Sequence, residues 1–255
     1  MCQQKKAILT FDLEFWYNGK FFEKYLPQEK GTLGDFFKES VFPVLKILKD
    51  QNHKATFFVL GNIAEKYPLE LKKIWQGGHE IASHGYSHRP LERLSVCEFE
   101  EELKRGSQIV KAIIGKKPIG FRAPNFSLNA QNTKFLKIMK DNNFVYDSSI
   151  HPLKFFQKIK DFTEIYPSLG GFYFRVLPLW VYVLLIKILS RNKIPVLYFH
   201  PYELFATTPR LKNAPLWKQK IKYWGTKNAW KKFNLLMKKF KFISVEQYLY
   251  ENYTN

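Results

Sequence analysis

Cysteine is nearly missing from this chain of 255 residues, which holds only Cys2 and Cys97. Two thiols cannot build a disulfide framework, so nothing here demands an oxidising compartment. Long apolar runs are missing as well. The longest extends from Val176 to Ile186, is broken by Lys187, and is too short to span a bilayer. No apolar leader with a small-residue cleavage site stands before the first strand-like run, and the expected place of action is the cytoplasm, with the inner membrane face as an extension of it. There is no repeat, Gly/Ser linker or low-complexity tract, so one domain over residues 1–255 is expected. Acidic residues are scarce, 22 against 41 Lys and Arg, for a net charge of +19. Such a field attracts anions: phosphorylated lipids, nucleotide-linked sugars, an anionic bilayer surface or nucleic acid. Charge alone does not choose among these, but no nucleic-acid-binding motif accompanies it, so nucleic acid is not an expected partner.

What is present is globular in character. Hydrophobic residues make up 45% and aromatics 17% of the chain, enough for a substantial core at this length. Ala7 to Phe11 reads as a buried strand ending in charge, followed by an aromatic, Gly-containing loop over residues 15–34. Val41 to Asp50 has helical spacing. Ala55 to Leu60 is a second strand, Ile63 to Gln76 a helix stopped by Gly77-Gly78, and Glu80 to Ser83 a third strand. Ser95 with Glu98 three residues on forms a capping box for a helix to about Ile114. Ile119 to Phe121, Val145-Tyr146 and Pro195 to Phe199 are further strands, with a helix from Gln131 to Asp141. Strand followed by helix, repeated this often, predicts an α/β fold with a parallel sheet and helices outside. About 250 residues is the usual size of a (β/α) barrel, whose active sites sit where strands end.

The chemistry-bearing motifs all fall at such strand ends. They are Asp12-Leu13-Glu14, Ser83-His84-Gly85-Tyr86-Ser87-His88, Phe121-Arg122-Ala123-Pro124, Tyr146-Asp147-Ser148-Ser149 and Leu197-Tyr198-Phe199-His200-Pro201. His84 and His88 are four apart, which suits one face of a helix or a tight loop after a strand. Two imidazoles plus a carboxylate with an open position is a catalytic Zn²⁺ arrangement. Asp12 or Glu14 supplies the carboxylate, since Asp-x-Glu in an extended segment puts both on one side. The other then faces the bound water as a general base, and His200 suits the acid that protonates the leaving group. Two nitrogens and an oxygen fit Zn²⁺, and Co²⁺, Fe²⁺, Mn²⁺ or Ni²⁺ as well. His53, His79 and His151 lack such company and read as structural or solvated.

From Ile8 to about Leu211 these motifs, in this order, resemble the polysaccharide deacetylase family, carbohydrate esterase family four. The resemblance implies a distorted (β/α)7 TIM-like barrel and metal-dependent removal of N-acetyl or other acyl groups from sugars. It implies Asp12 as general base, Glu14, His84 and His88 as metal ligands, and Arg122 as the partner of Asp12. The backbone N–H of Asn125 would help bind the oxyanion, and Asp147 would orient or tune His200, the general acid. Many members carry adjacent aspartates where this chain has Asp12-Leu13-Glu14, and Leu where it has Tyr198, so a reshaped acyl pocket is expected. Phe121 to Ser127, Gly170 to Arg175 and His200-Pro201-Tyr202-Glu203 look like deacetylases of surface-polysaccharide gene clusters. Tyr86, Gly171, Arg175 and Tyr198 are therefore substrate-contact candidates. Gly170-Gly171 would allow close backbone approach to a ligand, with Arg175 reaching an anionic part of it. The implied substrate is an N-acylated sugar on an anionic carrier, a nucleotide or a polyprenyl phosphate. A deformylase of lipid-linked amino sugars, a ureide hydrolase on the same barrel and an inactive carbohydrate- or membrane-binding protein are the alternatives.

The stretch from Phe205 to Lys241 contains ten Lys, one Arg and no acid. Trp230, Phe233, Met237 and Phe240 follow helical spacing there. This reads as the final barrel helix, apolar stripe inward, whose lysines also suit a peripheral contact with anionic lipid.

Overall fold

The computed structural model describes residues 4–19, 22–27, 34–128, 133–150, 163–211 and 213–253. Lys6–Leu13 forms β1, buried at every position but the first, as a strand covered on both faces of a parallel sheet must be. After it come α1 (Phe37–Asp50), β2 (Thr56–Val59), α2 (Gly61–Lys66), α3 (Pro68–Gln76), β3 (Glu80–Ser83), α4 (Val96–Ile114), β4 (Gly120–Phe121), α5 (Thr133–Asp141) and β5 (Tyr146–Asp147). The second part adds β6 (Thr163–Glu164), β7 (Leu169–Gly170), α6 (Gly171–Val176), α7 (Leu179–Leu189), β8 (Val196–Phe199), α8 (Leu216–Tyr223), α9 (Thr226–Met237), β9 (Lys241–Ile243) and α10 (Val245–Tyr253). The sheet order is β6-β5-β4-β3-β2-β1-β8-β7, with β9 also paired to β1. Each pairing is parallel. The two ends of this order, β6 and β7, follow one another in the chain, so the curled sheet is a distorted (β/α)7 barrel with its seam between them. One sheet runs through both parts, because β1 pairs with β2 on one side and with β8 and β9 on the other.

Several elements depart from the sequence expectation for identifiable reasons. The helix expected over 63–76 is two helices, because Pro68 has no N–H and forces Tyr67 out of the helical region, at φ −128° and ψ 53°. Helix α1 begins four residues earlier than its apolar spacing indicated. The stretch after Phe205 is not the closing helix. It divides into α8 and α9 at Gly225, whose φ is +75°, and β9 and α10 follow. Glu98 and Ser95 form the expected capping box, each side chain bonded to the other's backbone N–H. His53 joins α9 to β9, donating from Nε2 to Met237 O at 2.8 Å and accepting from Phe242 N–H at 3.3 Å. His79 is buried in the turn before β3, and burial pushes its pKa down to about 4. The His151 reading and the start of the 131–141 helix lie outside the described residues. Among the described residues no helix is long and apolar enough to cross a membrane.

Candidate metal centre

Strand ends bring the expected groups together at one mouth of the barrel. Glu14 follows the end of β1 and is buried. Its Oε1 lies 2.9 Å from His84 Nε2 and 2.8 Å from His88 Nε2. His84 Nδ1 donates to the Arg122 carbonyl at 2.7 Å, which fixes the ring and leaves Nε2 for the shared centre. The donor atoms of Glu14, His84 and His88 all lie within 4.8 Å of one another. Two imidazole nitrogens and one carboxylate oxygen at this spacing fit a divalent cation. Burial pushes the Glu14 carboxyl up, but the facing imidazoles of His88 and His200 outweigh it and hold it well below the usual range.

Residues 84–88 form a loop rather than a helical turn. Gly85 has φ +82° and His88 φ +65°, so the two histidines converge by reversing the chain after β3. The loop is strapped to α4: Glu102 Oε2 accepts from the Tyr86 and Ser87 N–H groups at 2.9 and 2.8 Å, and its other oxygen takes the Ser87 hydroxyl. Glycines let it seat there. A Cβ on Gly106 would come within 3.0 Å of Gly85 O, and one on Gly61 within 2.5 Å of the Tyr86 ring. Sequence reasoning missed Glu102, since a single Glu on a charged helix face carries no signal of its own.

Beside the three donors stands an acid–base set. Arg122, fully buried, donates through Nη1 to Asp12 Oδ1 at 2.6 Å and to Thr10 Oγ1 at 3.0 Å. Its other nitrogens donate to Ser148, at the carbonyl and the hydroxyl, and the Phe58 ring lies 4.0 Å from its Cζ. Asp12 Oδ2 faces His200 Nε2 at 3.9 Å, and Glu14 Oε1 is 3.7 Å from the same nitrogen. On its far side, His200 Nδ1 lies 3.3 Å from Glu203 Oε1, an ion-pair contact rather than a formed hydrogen bond. Burial pulls the His200 pKa down, but Glu203 and then Glu14 outweigh it and hold it well above its ordinary value.

Three expectations for this region need correction. Asp147 does not meet His200. Its oxygens accept from the Ser149 N–H and hydroxyl at 2.9 and 2.6 Å, and Ser149 in turn accepts from Ala123 N–H at 2.7 Å. Asp147 also shares a buried hydrogen bond with Glu164, and burial raises it to about 6. It therefore braces the strand end that carries Arg122, and the partner of His200 is Glu203, at i+3 in the short turn Pro201–Leu204. Tyr86 turns away from the centre: its hydroxyl donates to Glu65 at 2.7 Å, and the Arg105 guanidinium stacks 3.7 Å from its ring. Gly170 and Gly171 do permit close approach, but by protein groups. A Cβ would sit 2.3 Å from the Tyr198 ring at Gly170 and 1.9 Å from Glu203 Oε2 at Gly171.

Arg175 spends one nitrogen on the Lys222 and Trp224 carbonyls, at 2.7 and 2.6 Å. It also lines a cavity of about 190 Å³ with Glu203, Tyr202, Phe172 and Lys222. Tyr198 packs edge-on against Phe126 at 5.0 Å, beside Arg122. Asn125, at φ +56°, lines a second cavity of about 160 Å³ together with His88, Arg89 and Arg93. Asn18 and Gly19 line both cavities, so the loop after β1 stands between them.

Comparison with known proteins agrees with this arrangement. A family model described as Polysaccharide deacetylase matches residues 3–146, and one described as a domain of unknown function (DUF3473) matches residues 152–250. The peptidoglycan deacetylase of Helicobacter pylori is 33% identical over 129 residues, which are 50% of this chain and 40% of that protein. The chain spans less than half the length of the first curated relatives it matches. A solved Mycobacterium smegmatis protein, provisionally described as a polysaccharide deacetylase, superposes with a TM-score of 0.63 at 18% identity, over 98% of this chain and 90% of that one. A Bacillus anthracis protein described as a pseudoenzyme of carbohydrate esterase family four superposes with a TM-score of 0.52 at 18% identity, over 96% and 65% of the two chains. These likenesses show the fold, and the family match over more than half of the 255 residues shows the rest: this chain belongs to the polysaccharide deacetylase family.

Proposed function

We propose that this protein is a metal-dependent hydrolase that removes an N-acetyl or other N-acyl group from a sugar. One observation carries the reading. Glu14 Oε1 is within 2.9 Å of two imidazole nitrogens while a second carboxylate, Asp12, is held separately by Arg122 at 2.6 Å. A ligand set and a general base are thus kept apart within one buried cluster. An inactive protein on the same fold, as described for the Bacillus anthracis relative, would have no use for both.

Glu14, His84 and His88 would hold the cation, for which Zn²⁺ is our choice from the donor set. Such an ion polarises a carbonyl and lowers the pKa of a water bound to it. The protein's own groups do the rest. Arg122 fixes Oδ1 of Asp12 and so leaves Oδ2 to take the proton of the attacking water. The N–H of Asn125, beside His88 in the cavity, supports the oxyanion. His200, held protonated by Glu203, passes a proton to the leaving nitrogen, a contribution of about 10²–10⁴-fold.

The finer reading is that the sugar rides on a nucleotide or polyprenyl phosphate in surface-polysaccharide synthesis, in the cytoplasm. The net charge of +19 supports an anionic carrier. The test is Asp12→Asn. Acetate release should be abolished while calorimetric titration shows the cation still bound. Unchanged release would remove Asp12 from its role. Formate in place of acetate among the wild-type products would favour the deformylase reading.

A further inference from the structure

Twelve of the eighteen exposed large apolar side chains among the described residues lie between residues 172 and 235. Helix α7 shows why this is unusual. Its sequence, LWVYVLLIKIL, is apolar around its whole circumference except at Lys187. Such a helix belongs in a core or a membrane, yet α7 has core on one side only. Tyr182, Val183 and Ile186 are buried. Trp180, Leu184 and Ile188, four residues apart on α7, stand 71%, 48% and 47% exposed. Leu235 of α9 completes a groove with Trp180 and Leu184, flanked by Lys187 and Lys239. Leu216, Ile221 and Trp224 are further exposed apolar side chains on α8 and at its end.

These helices form one body. Lys232 of α9 donates to Leu177 O at 2.6 Å, between α6 and α7. Arg175 of α6 donates to carbonyls at the end of α8.

The charge around this surface selects its occupant. From Ile165 to Val245 the chain has fifteen Lys and Arg and one acid, Glu203, which is enclosed beside His200 with only 15% of its side chain exposed. A second copy would bring the same positive charge to the contact and be repelled. Exposed tryptophans and lysines on long stems suit the headgroup region of a bilayer, and each Lys near an anionic surface adds about 1 kcal/mol.

We propose that the face built from α6, α7, α8 and α9 docks on an anionic lipid bilayer. Phe172 of α6 and Ile221 of α8 belong to this face and also line the cavity walled by Arg175 and Glu203. Docking therefore sets the His200 side of the centre against the membrane, where a lipid-linked sugar is presented. That last step rests on the proposed function, whereas the docking does not.

Flotation of the purified chain with vesicles tests it, using phosphatidylcholine alone and phosphatidylcholine mixed with phosphatidylglycerol. The protein should float with the mixed vesicles only, and less so as salt rises. Trp180→Ala with Trp224→Ala should weaken binding at least about tenfold, and Lys187→Ala about fivefold, with thermal midpoints unchanged. Equal binding to both vesicle types, or variants that bind like wild type, would overturn the proposal. So would a chain that ignores vesicles and instead forms a dimer sensitive to Trp180→Ala, since the face would then be a self-interface. Two controls separate this from the deacylation reading. Asp12→Asn protein should float like wild type, and the Trp variants should hydrolyse a soluble N-acylated sugar at the wild-type rate.

Discussion

Strand β3 has a buried titratable group at each end, and the two ends treat charge in opposite ways. At the mouth, just past Ser83, His84 meets Glu14, and Asp12 meets Arg122 close by. At the floor, Glu80 meets no cation among the described residues. Its oxygens accept from the Tyr146 hydroxyl at 2.7 Å, the Thr56 hydroxyl at 2.6 Å and the Glu246 N–H at 2.8 Å. Glu14 and Glu80 are buried alike, but imidazoles hold the first well below the ordinary carboxyl range while burial lifts the second to about 6. Burial alone therefore says little about a carboxyl's charge, and the partner decides it. Opposed charges at the mouth make a reactive cluster. Neutral donors at the floor make a fastener between β2, β3, β5 and α10, the division of labour expected of the two ends of a (β/α) barrel.

The largest effect should come from breaking a pair at the mouth. Arg122→Met leaves the buried Asp12 carboxylate without its guanidinium and takes the Nε–H donor from the Ser148 carbonyl. Loss of one partner of a buried ion pair costs about 3–5 kcal/mol. Urea unfolding would measure it. Adding Asp12→Asn removes the orphaned charge, so the double variant should recover part of that loss. If Arg122→Met costs no more than a surface substitution, the mouth is not held by charge and the contrast with the floor fails.

The floor should respond in the other direction. A folded-state pKa of about 6 against an ordinary 4.5 means that the native state binds the Glu80 proton more tightly than the unfolded chain does. The stability from this group is therefore complete below pH 4.5 and lost as pH rises through about 6, a total of about 2 kcal/mol. Glu80→Gln keeps an acceptor for Thr56 and Glu246 and cannot ionise. At pH 7 it should be more stable than wild type by up to about 2 kcal/mol, with the gap closing toward pH 4.5. A variant less stable at pH 7 would show that the ionised carboxylate is worth more to the floor than its burial costs.

The two parts of the chain also differ in how far they could be read from the sequence. The apolar runs of β1, β2, β3 and β8 and the capping box of α4 each specify an element almost residue by residue. The metal-centre groups were legible because each stands directly after such a run. Strands β6 and β7, two residues each, are too short for any periodicity, and β9 is Lys241-Phe242-Ile243 at the end of a lysine-rich stretch that reads as helix. Pro68 carried a signal that was legible but outweighed by apolar spacing on both sides. The role expected of Asp147 failed for a tertiary reason: β6 brings Glu164 and its own loop brings Ser149, and together they take all its bonds. Glu203 had a local signal, since the i+3 position after a His-Pro turn faces back toward the histidine.

That last pair supplies the smallest and sharpest test of the comparison, because it asks whether charge at the mouth tunes chemistry as well as stability. Glu203 does most to offset the burial of His200, and it lies on the side away from the cation ligands. An acid works only while protonated, so a raised His200 pKa moves the alkaline limb of the rate profile to higher pH. Glu203→Gln removes the charge and keeps the shape. The alkaline limb should shift to lower pH, with turnover severalfold lower above neutrality and close to wild type on the acid side. A merely structural role for Glu203 predicts something else, an equal loss at every pH. Rescue by Glu203→Asp, with the limb restored part of the way, would tie the shift to the carboxylate rather than to its packing against Gly171.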